Sequence, residues 1–155
     1  MIAFLRSLYL RTRLFVVIGV MVVIFALSAA VPVFFFAAKS LIAAVGVIFL
    51  IDVLLLYQKR NGIYGIRVPP DRLSNGDDNE IKIFLENNYP FPISLDIIDE
   101  IPHQFQKRDL LFKTGLSSRE SKTLSYDLKP TERGEYSFGG VNVYAHTFIG
   151  LVSRK

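Results

Sequence analysis

Between Leu14 and Ala38 the chain carries no charged residue, and from Leu41 to Tyr57 a second apolar run is interrupted only by Asp52. One bilayer crossing needs about 20 apolar residues, so the stretch from residue 12 to 58 has length enough for two. Small residues and a proline at Ser28-Ala29-Ala30-Val31-Pro32 mark the turn between them. The pattern predicts helices over residues 11–30 and 33–57, a transmembrane hairpin filling an N-terminal region of residues 1–60. Lys39 falls in the first turns of the second helix, where a long side chain reaches outward to the headgroups. Met1–Leu10 mixes apolar residues with Arg6 and reads as a short interfacial helix. The alternative is a cleaved signal peptide ending near Ser28-Ala29-Ala30. The second apolar run would then still anchor the chain.

Charge gives the orientation. The net charge is +4, but residues 1–60 hold six basic groups and one acid, whereas residues 61–155 hold twelve basic and thirteen acidic groups. The basic excess therefore lies wholly with the apolar part, which excludes a basic nucleic-acid-binding domain. Arg6, Arg11 and Arg13 precede the first helix, and Lys59, Arg60 and Arg67 follow the second. The positive-inside rule then puts both ends of the hairpin, and all that follows, in the cytoplasm. Gly19, Ala26 and the small residues near Ser28 permit close helix packing and hence an oligomer, although no strict GxxxG is present.

From Ile63 onward the texture changes to short β-rich runs separated by Pro, Gly, Asn and Asp. Strands are predicted at 63–68, 80–87, 93–98, 110–113, 122–128, 135–138 and 141–147, with 149–153 as a possible extension of the last. Seven short strands in residues 61–155 fit an all-β antiparallel sandwich of the immunoglobulin-like kind. Its core would draw on Ile63, Ile66, Val68, Ile81, Ile83, Leu85, Ile93, Leu95, Ile97 and Leu111, and on residues of the later strands through Ala145. The polar connection from Asp99 to Gly115 is the least regular part and the expected place for a partner to touch.

The inventory for chemistry is short. There is no cysteine, so thiolate nucleophiles, disulfides and cysteine-ligated metals are excluded. His103 and His146 sit in no motif, and Asp77-Asp78-Asn79-Glu80 has a turn's composition without the spacing of a calcium loop. Asp96, Asp99 and Glu100 read as a solvated strand end. With no glycine-rich phosphate loop, nucleophile elbow or metal-ligand cluster, the expectation is a non-enzymatic chain without cofactor. Asp52 is the one ionisable group deep in an apolar run; its expected role is to pair with Arg11 or Arg13 of the neighbouring helix. In Lys129-Pro130-Thr131-Glu132-Arg133-Gly134-Glu135-Tyr136, Pro130 ends a strand and Gly134 permits a turn. Arg133 then starts the next strand, placed to fasten carbonyls or a carboxylate.

The segments Leu85-Glu86-Asn87-Asn88, Asp99-Glu100-Ile101-Pro102, Tyr126-Asp127-Leu128-Lys129-Pro130, Arg133-Gly134-Glu135-Tyr136 and Ile149-Gly150-Leu151-Val152-Ser153-Arg154 follow one another behind the helical hairpin. In this order they resemble the N-terminal portion of the bacterial family called domain of unknown function fifty-eight. Thr147-Phe148-Ile149 departs from the Asp-Pro pair frequent in that family. Members usually continue into a von Willebrand factor A-like domain, which implies a longer protein of which these residues are a part. The resemblance implies a multi-pass protein of the bacterial inner membrane with a cytoplasmic β domain, acting as an adaptor or scaffold beside a MoxR-type AAA ATPase. It marks Asn87, Pro102, Arg133, Gly134 and Tyr136, with Asp52, as structural or interaction positions. Two other functions remain open: an outward-facing ligand- or glycan-binding β domain, and the anchor of an enzyme whose catalytic part lies beyond Lys155.

Overall fold

The computed structural model describes residues 6–29, 31, 33–70, 72–105 and 110–155. In chain order the elements are β1 (Leu8–Leu10), α1 (Thr12–Leu27), α2 (Val33–Tyr57), β2 (Ile63–Val68), β3 (Asn79–Asn87), β4 (Ile93–Asp99), a single 3-10 turn (His103–Phe105), β5 (Leu110–Leu116), β6 (Ser121–Leu128), β7 (Val141–His146) and β8 (Val152–Arg154). They form two compact units. One holds residues 1–58 and 146–155, the other residues 59–145. The sequence division placed the last ten residues with the strands; in the structure they group with the helices.

In the helical unit, Phe34–Tyr57 is a 24-residue stretch long and apolar enough to cross a membrane. Its exposed residues are spread nearly all round the helix and are almost all apolar. α1 is equally apolar but has 16 residues, about 24 Å at 1.5 Å per residue. Phe25 of α1 and Phe35 of α2 bring their rings to 6.4 Å, and Lys39 sits 4.3 Å over the Phe35 ring. The proposed turn's Ala30 and Pro32 lie outside the described residues, as do residues 1–5 of the expected interfacial helix. Its other end is corrected: Leu8–Leu10 is a strand, antiparallel to β8 with Tyr9 opposite Ser153.

In the β unit one sheet runs β2-β3-β6 and the other contains β7-β4-β5 in that order. β2 pairs antiparallel with β3, β3 with β6 and β4 with β5. Strict alternation in β3 and β4 turns Ile81, Ile83, Leu85, Ile93, Leu95 and Ile97 inward, each at most 3% exposed. Burying one such side chain contributes about 1.5–3 kcal/mol, so these two strands carry the core. Ile66, Val68 and Leu111 were expected there but are exposed. On β2 the inward residues are those of the other parity: Arg67 stands opposite Ile83, while Ile66 stands opposite Phe84. A one-residue change of parity moves a whole strand's side chains to the other face. Tyr89 and Leu116 are buried instead.

No strand forms at 135–138. There the Tyr136 hydroxyl donates to the Glu132 carbonyl over 2.6 Å, and the ring packs on Phe105 at 4.8 Å between centroids. The last strand starts at Val152 rather than 149 because Gly150 turns the chain with φ of 66°. That conformation suits glycine.

Candidate functional site

Three places gather polar side chains. The first is a surface cleft of about 480 Å³ in the β unit, between residues 69–75 and 130–138. Pro69, Arg72 and Asn75 line one side, and Pro130, Glu132 and Tyr136 the other. Hydrogen bonds from two residues hold its walls. Gly76 N donates to Pro130 O at 2.9 Å. The Asn79 side chain accepts from Ser74 N at 2.7 Å and donates to the carbonyls of Ser74, Asp77 and Leu128. The acidic run 77–80 thus leads out of a turn organised by the Asn79 side chain and into the start of β3. Behind the cleft, Phe105 lies between Tyr136 and Phe138, with the Phe138 ring 6.3 Å away. An aromatic floor flanked by one basic and one acidic group suits a polar ligand or a peptide segment.

The distinctive stretch 129–136 therefore lines the cleft, but not through the residues expected to matter. Arg133 starts no strand; it is exposed and, among the described residues, has no hydrogen-bond or ion-pair partner. Gly134 needs no special conformation: its φ is not positive, and an added Cβ would meet nothing within 4 Å. Tyr136 is the structural member. Pro102 is buried and opens the 3-10 turn, its carbonyl accepting from Phe105 N at 3.1 Å. Residues 106–109 of the long connection lie outside the described residues.

The second place is internal. Asp99, read from sequence as solvated, is 2% exposed. Arg67 grips it with two N–H groups, Nε to Oδ2 at 3.1 Å and Nη2 to Oδ1. The Tyr126 hydroxyl donates to Oδ2 at 2.5 Å. Arg67 also donates to the Gly139 carbonyl at 3.1 Å and stacks over Phe138 at 4.8 Å. Burial opposes the Arg67 charge, but the hydrogen bond and the negative charge of Asp99 outweigh it and raise the arginine pKa. Burial, then the bond to Asp99 and its charge, push the Tyr126 phenol well above its ordinary 10.0. Glu100 turns away from this cluster: its carboxylate accepts from Asn142 at 2.6 Å and from Gly140 N at 3.1 Å.

Asn87, 1% exposed, ties two turns together. Its amide donates to Phe91 O at 3.0 Å and Ser117 O at 2.7 Å, and its carbonyl accepts from Tyr89 N at 2.9 Å. Every polar atom of this buried amide is used in holding loops, which is the expected state of a buried polar group. In the same β5–β6 turn Ser117 N donates to Glu120, which lowers the Glu120 pKa.

The third place is in the helical unit. Asp52 is fully buried. Its partners are not the arginines of α1 but the C-terminal segment: the Thr147 hydroxyl, Leu151 N at 2.8 Å and Val152 N at 3.1 Å. Arg13 instead donates to the carbonyls of Phe148 and Ile149, at 3.4 and 3.2 Å. Arg154 completes the fastening, donating to Leu56 O at 2.8 Å and stacking on Tyr57 at 4.7 Å. A carboxylate with two backbone N–H donors and a hydroxyl is strongly held, and no adjacent basic side chain is required. The His146 ring lies 3.2 Å from the carbonyl of the neighbouring Thr147, and His103 is exposed on its 3-10 turn.

No protein-family model matches the chain, and no curated protein matches it.

Proposed function

We propose that this chain is a membrane-anchored, non-catalytic adaptor module. In this reading α1 and α2 form a two-span hairpin with both ends in the cytoplasm. The β unit is an immunoglobulin-like sandwich at the cytoplasmic face of a bacterial inner membrane. There it presents a protein-binding surface to a MoxR-type AAA ATPase during assembly of envelope complexes. The membrane placement draws on the apolar helix and on the basic excess confined to residues 1–60; the ATPase partner draws on the family resemblance alone.

The observation that carries the adaptor reading is the set of hydrogen bonds to Asp52. They fasten the segment after the β unit to the helix that precedes it, so the chain of the β unit leaves from the anchor and returns to it. The buried polar groups Asn87, Arg67 and Asp99 support the same reading, because their hydrogen bonds are spent on fastening. The open cleft beside Tyr136 is the surface offered to a partner.

A photo-crosslinking residue in place of Glu132, an exposed residue of the cleft rim, tests the proposal in the intact protein in its native membrane. The expected adduct contains an ATPase or an envelope protein; reproducible absence of any protein adduct overturns the adaptor reading. The cleft's aromatic floor between Arg72 and Glu132 also suits a small polar ligand or sugar, the outward-facing alternative. Protease digestion of sealed vesicles separates the two. Cleavage of the β unit only in inside-out vesicles supports the adaptor, and cleavage only in right-side-out vesicles supports the alternative.

A further inference from the structure

Around the near end of the helices, three apolar side chains point outward: Phe148 at 81% exposure, Leu10 at 49% and Tyr9 at 41%. None lies in a helix, so the lipid-facing surface of α1 and α2 does not account for them. We infer that they form a membrane-interface collar, in which Phe148, Leu10 and Tyr9 rest at the boundary between headgroups and acyl chains of the leaflet on that side. The inference rests on the reading of α2 as a membrane span.

Depth is the first argument. Thr147, next to Phe148, bonds directly to Asp52, which fixes Phe148 near the level of that residue. From Phe34 to Asp52 the helix rises about 27 Å at 1.5 Å per residue, close to the roughly 30 Å of a hydrocarbon core. The level of Asp52 is therefore the edge of the core, and the last turn of α2 belongs to the interface. The start of α1 lies at the same level, since Arg11 N donates to Leu151 O at 3.0 Å.

Backbone pairing is the second. Non-helical backbone near hydrocarbon must have its polar groups satisfied. β1 and β8 pair with each other, Asp52 takes the N–H groups of Leu151 and Val152, and Arg13 takes the carbonyls of Phe148 and Ile149. What this leaves outward is an aromatic and aliphatic fringe next to an exposed guanidinium. That is the composition of an interfacial belt, with the cation available to lipid phosphates. A protein partner would need a second apolar surface; the bilayer is already continuous with the helices that carry the fringe.

The sequence contains no tryptophan, so a single introduced one reports without background. Phe148→Trp and, separately, Val47→Trp in the middle of α2 (57% exposed) are placed in the full chain and reconstituted into phosphatidylcholine–phosphatidylglycerol vesicles. The vesicles carry bromines either near the headgroups or near the bilayer centre. The expected result is that Phe148→Trp loses most of its emission to shallow bromines and little to deep ones, while Val47→Trp shows the reverse. If Val47→Trp is quenched by deep bromines and Phe148→Trp responds only to an aqueous quencher, the collar is overturned and the span stands. Strongest quenching of Phe148→Trp by deep bromines also overturns it. If neither responds to brominated lipid, the span reading fails and the collar with it.

Discussion

Arg67 of β2 reaches Asp99 of β4, in the other sheet, with Nε 3.1 Å from Oδ2. The pair sits inside the β unit, with the two side chains 9% and 0% exposed. A buried pair of this kind is often no more stabilising than apolar residues of like volume, but removing one member strands the other. Arg67→Met or Asp99→Leu alone is expected to lower stability by about 3–5 kcal/mol. The double substitution should recover much of that loss. Denaturant unfolding of the four proteins in one detergent measures both effects, and additive losses in the double variant would contradict the pairing.

Tyr126 makes the same cluster sensitive to alkali. Its phenol pKa is raised in the folded protein above the ordinary 10.0, so the folded state binds a proton more tightly than the unfolded state. The resulting stability is complete below pH 10 and declines as pH rises beyond it. Tyr126→Phe should lower stability at neutral pH by about 1–3 kcal/mol, for the lost donor to a buried charge. It should also flatten the decline above pH 10. A pH series of unfolding midpoints for both proteins tests this; parallel curves would remove Tyr126 as the cause.

Asp52→Leu keeps an apolar helix but leaves the Thr147 hydroxyl and the amides of Leu151 and Val152 without their acceptor. Hydrogen exchange at those two amides should accelerate at least tenfold, since each lost bond to a charged acceptor is worth about 1.5–3 kcal/mol. Exchange in β3 and β4 should be unchanged. Unaltered exchange at 151 and 152 would mean that the segment is held by something other than Asp52.

Glycines separate by conformation. Gly134→Ala is expected to change stability by less than about 0.5 kcal/mol, because its backbone is ordinary and the space beside it is open. Gly76→Ala, at φ of 83°, should cost about 1–2 kcal/mol for the left-handed conformation. Thermal unfolding in parallel distinguishes them, and equal losses would count against the described turn.

Much of this fold was legible because periodicity speaks loudly. The apolar runs located α1 and α2, and the alternation in Ile81-Lys82-Ile83-Phe84-Leu85 located β3 and its inward face. The core placement of Ile66 and Val68 failed for a physical reason: a charged residue normally points outward, and only the distant partner Asp99 stabilises Arg67 at the inward parity. The neighbouring Ile66 and Val68 then took the outer face. The same blindness to long-range partners hid the real associates of Asp52, since flanking charge suggested Arg11 and Arg13, whereas backbone N–H groups carry no sequence signature. Among the site positions, Tyr136 and Asn87 hold structure as polar or aromatic fasteners. Arg133 and Gly134, prominent as a motif, touch little. Leu8–Leu10 was read as helix because three residues show no period, and its strand exists only through β8.

Asp52 and its three donors are 95, 99 and 100 residues apart in the chain. At a synthesis rate of roughly 5–20 residues per second, that separation lasts about 5–20 s. For this interval the acid is already built into its helix while Thr147, Leu151 and Val152 do not yet exist. The hydrogen bonds that fasten α2 to Thr147, Leu151 and Val152 can therefore form only after the whole β unit has been translated.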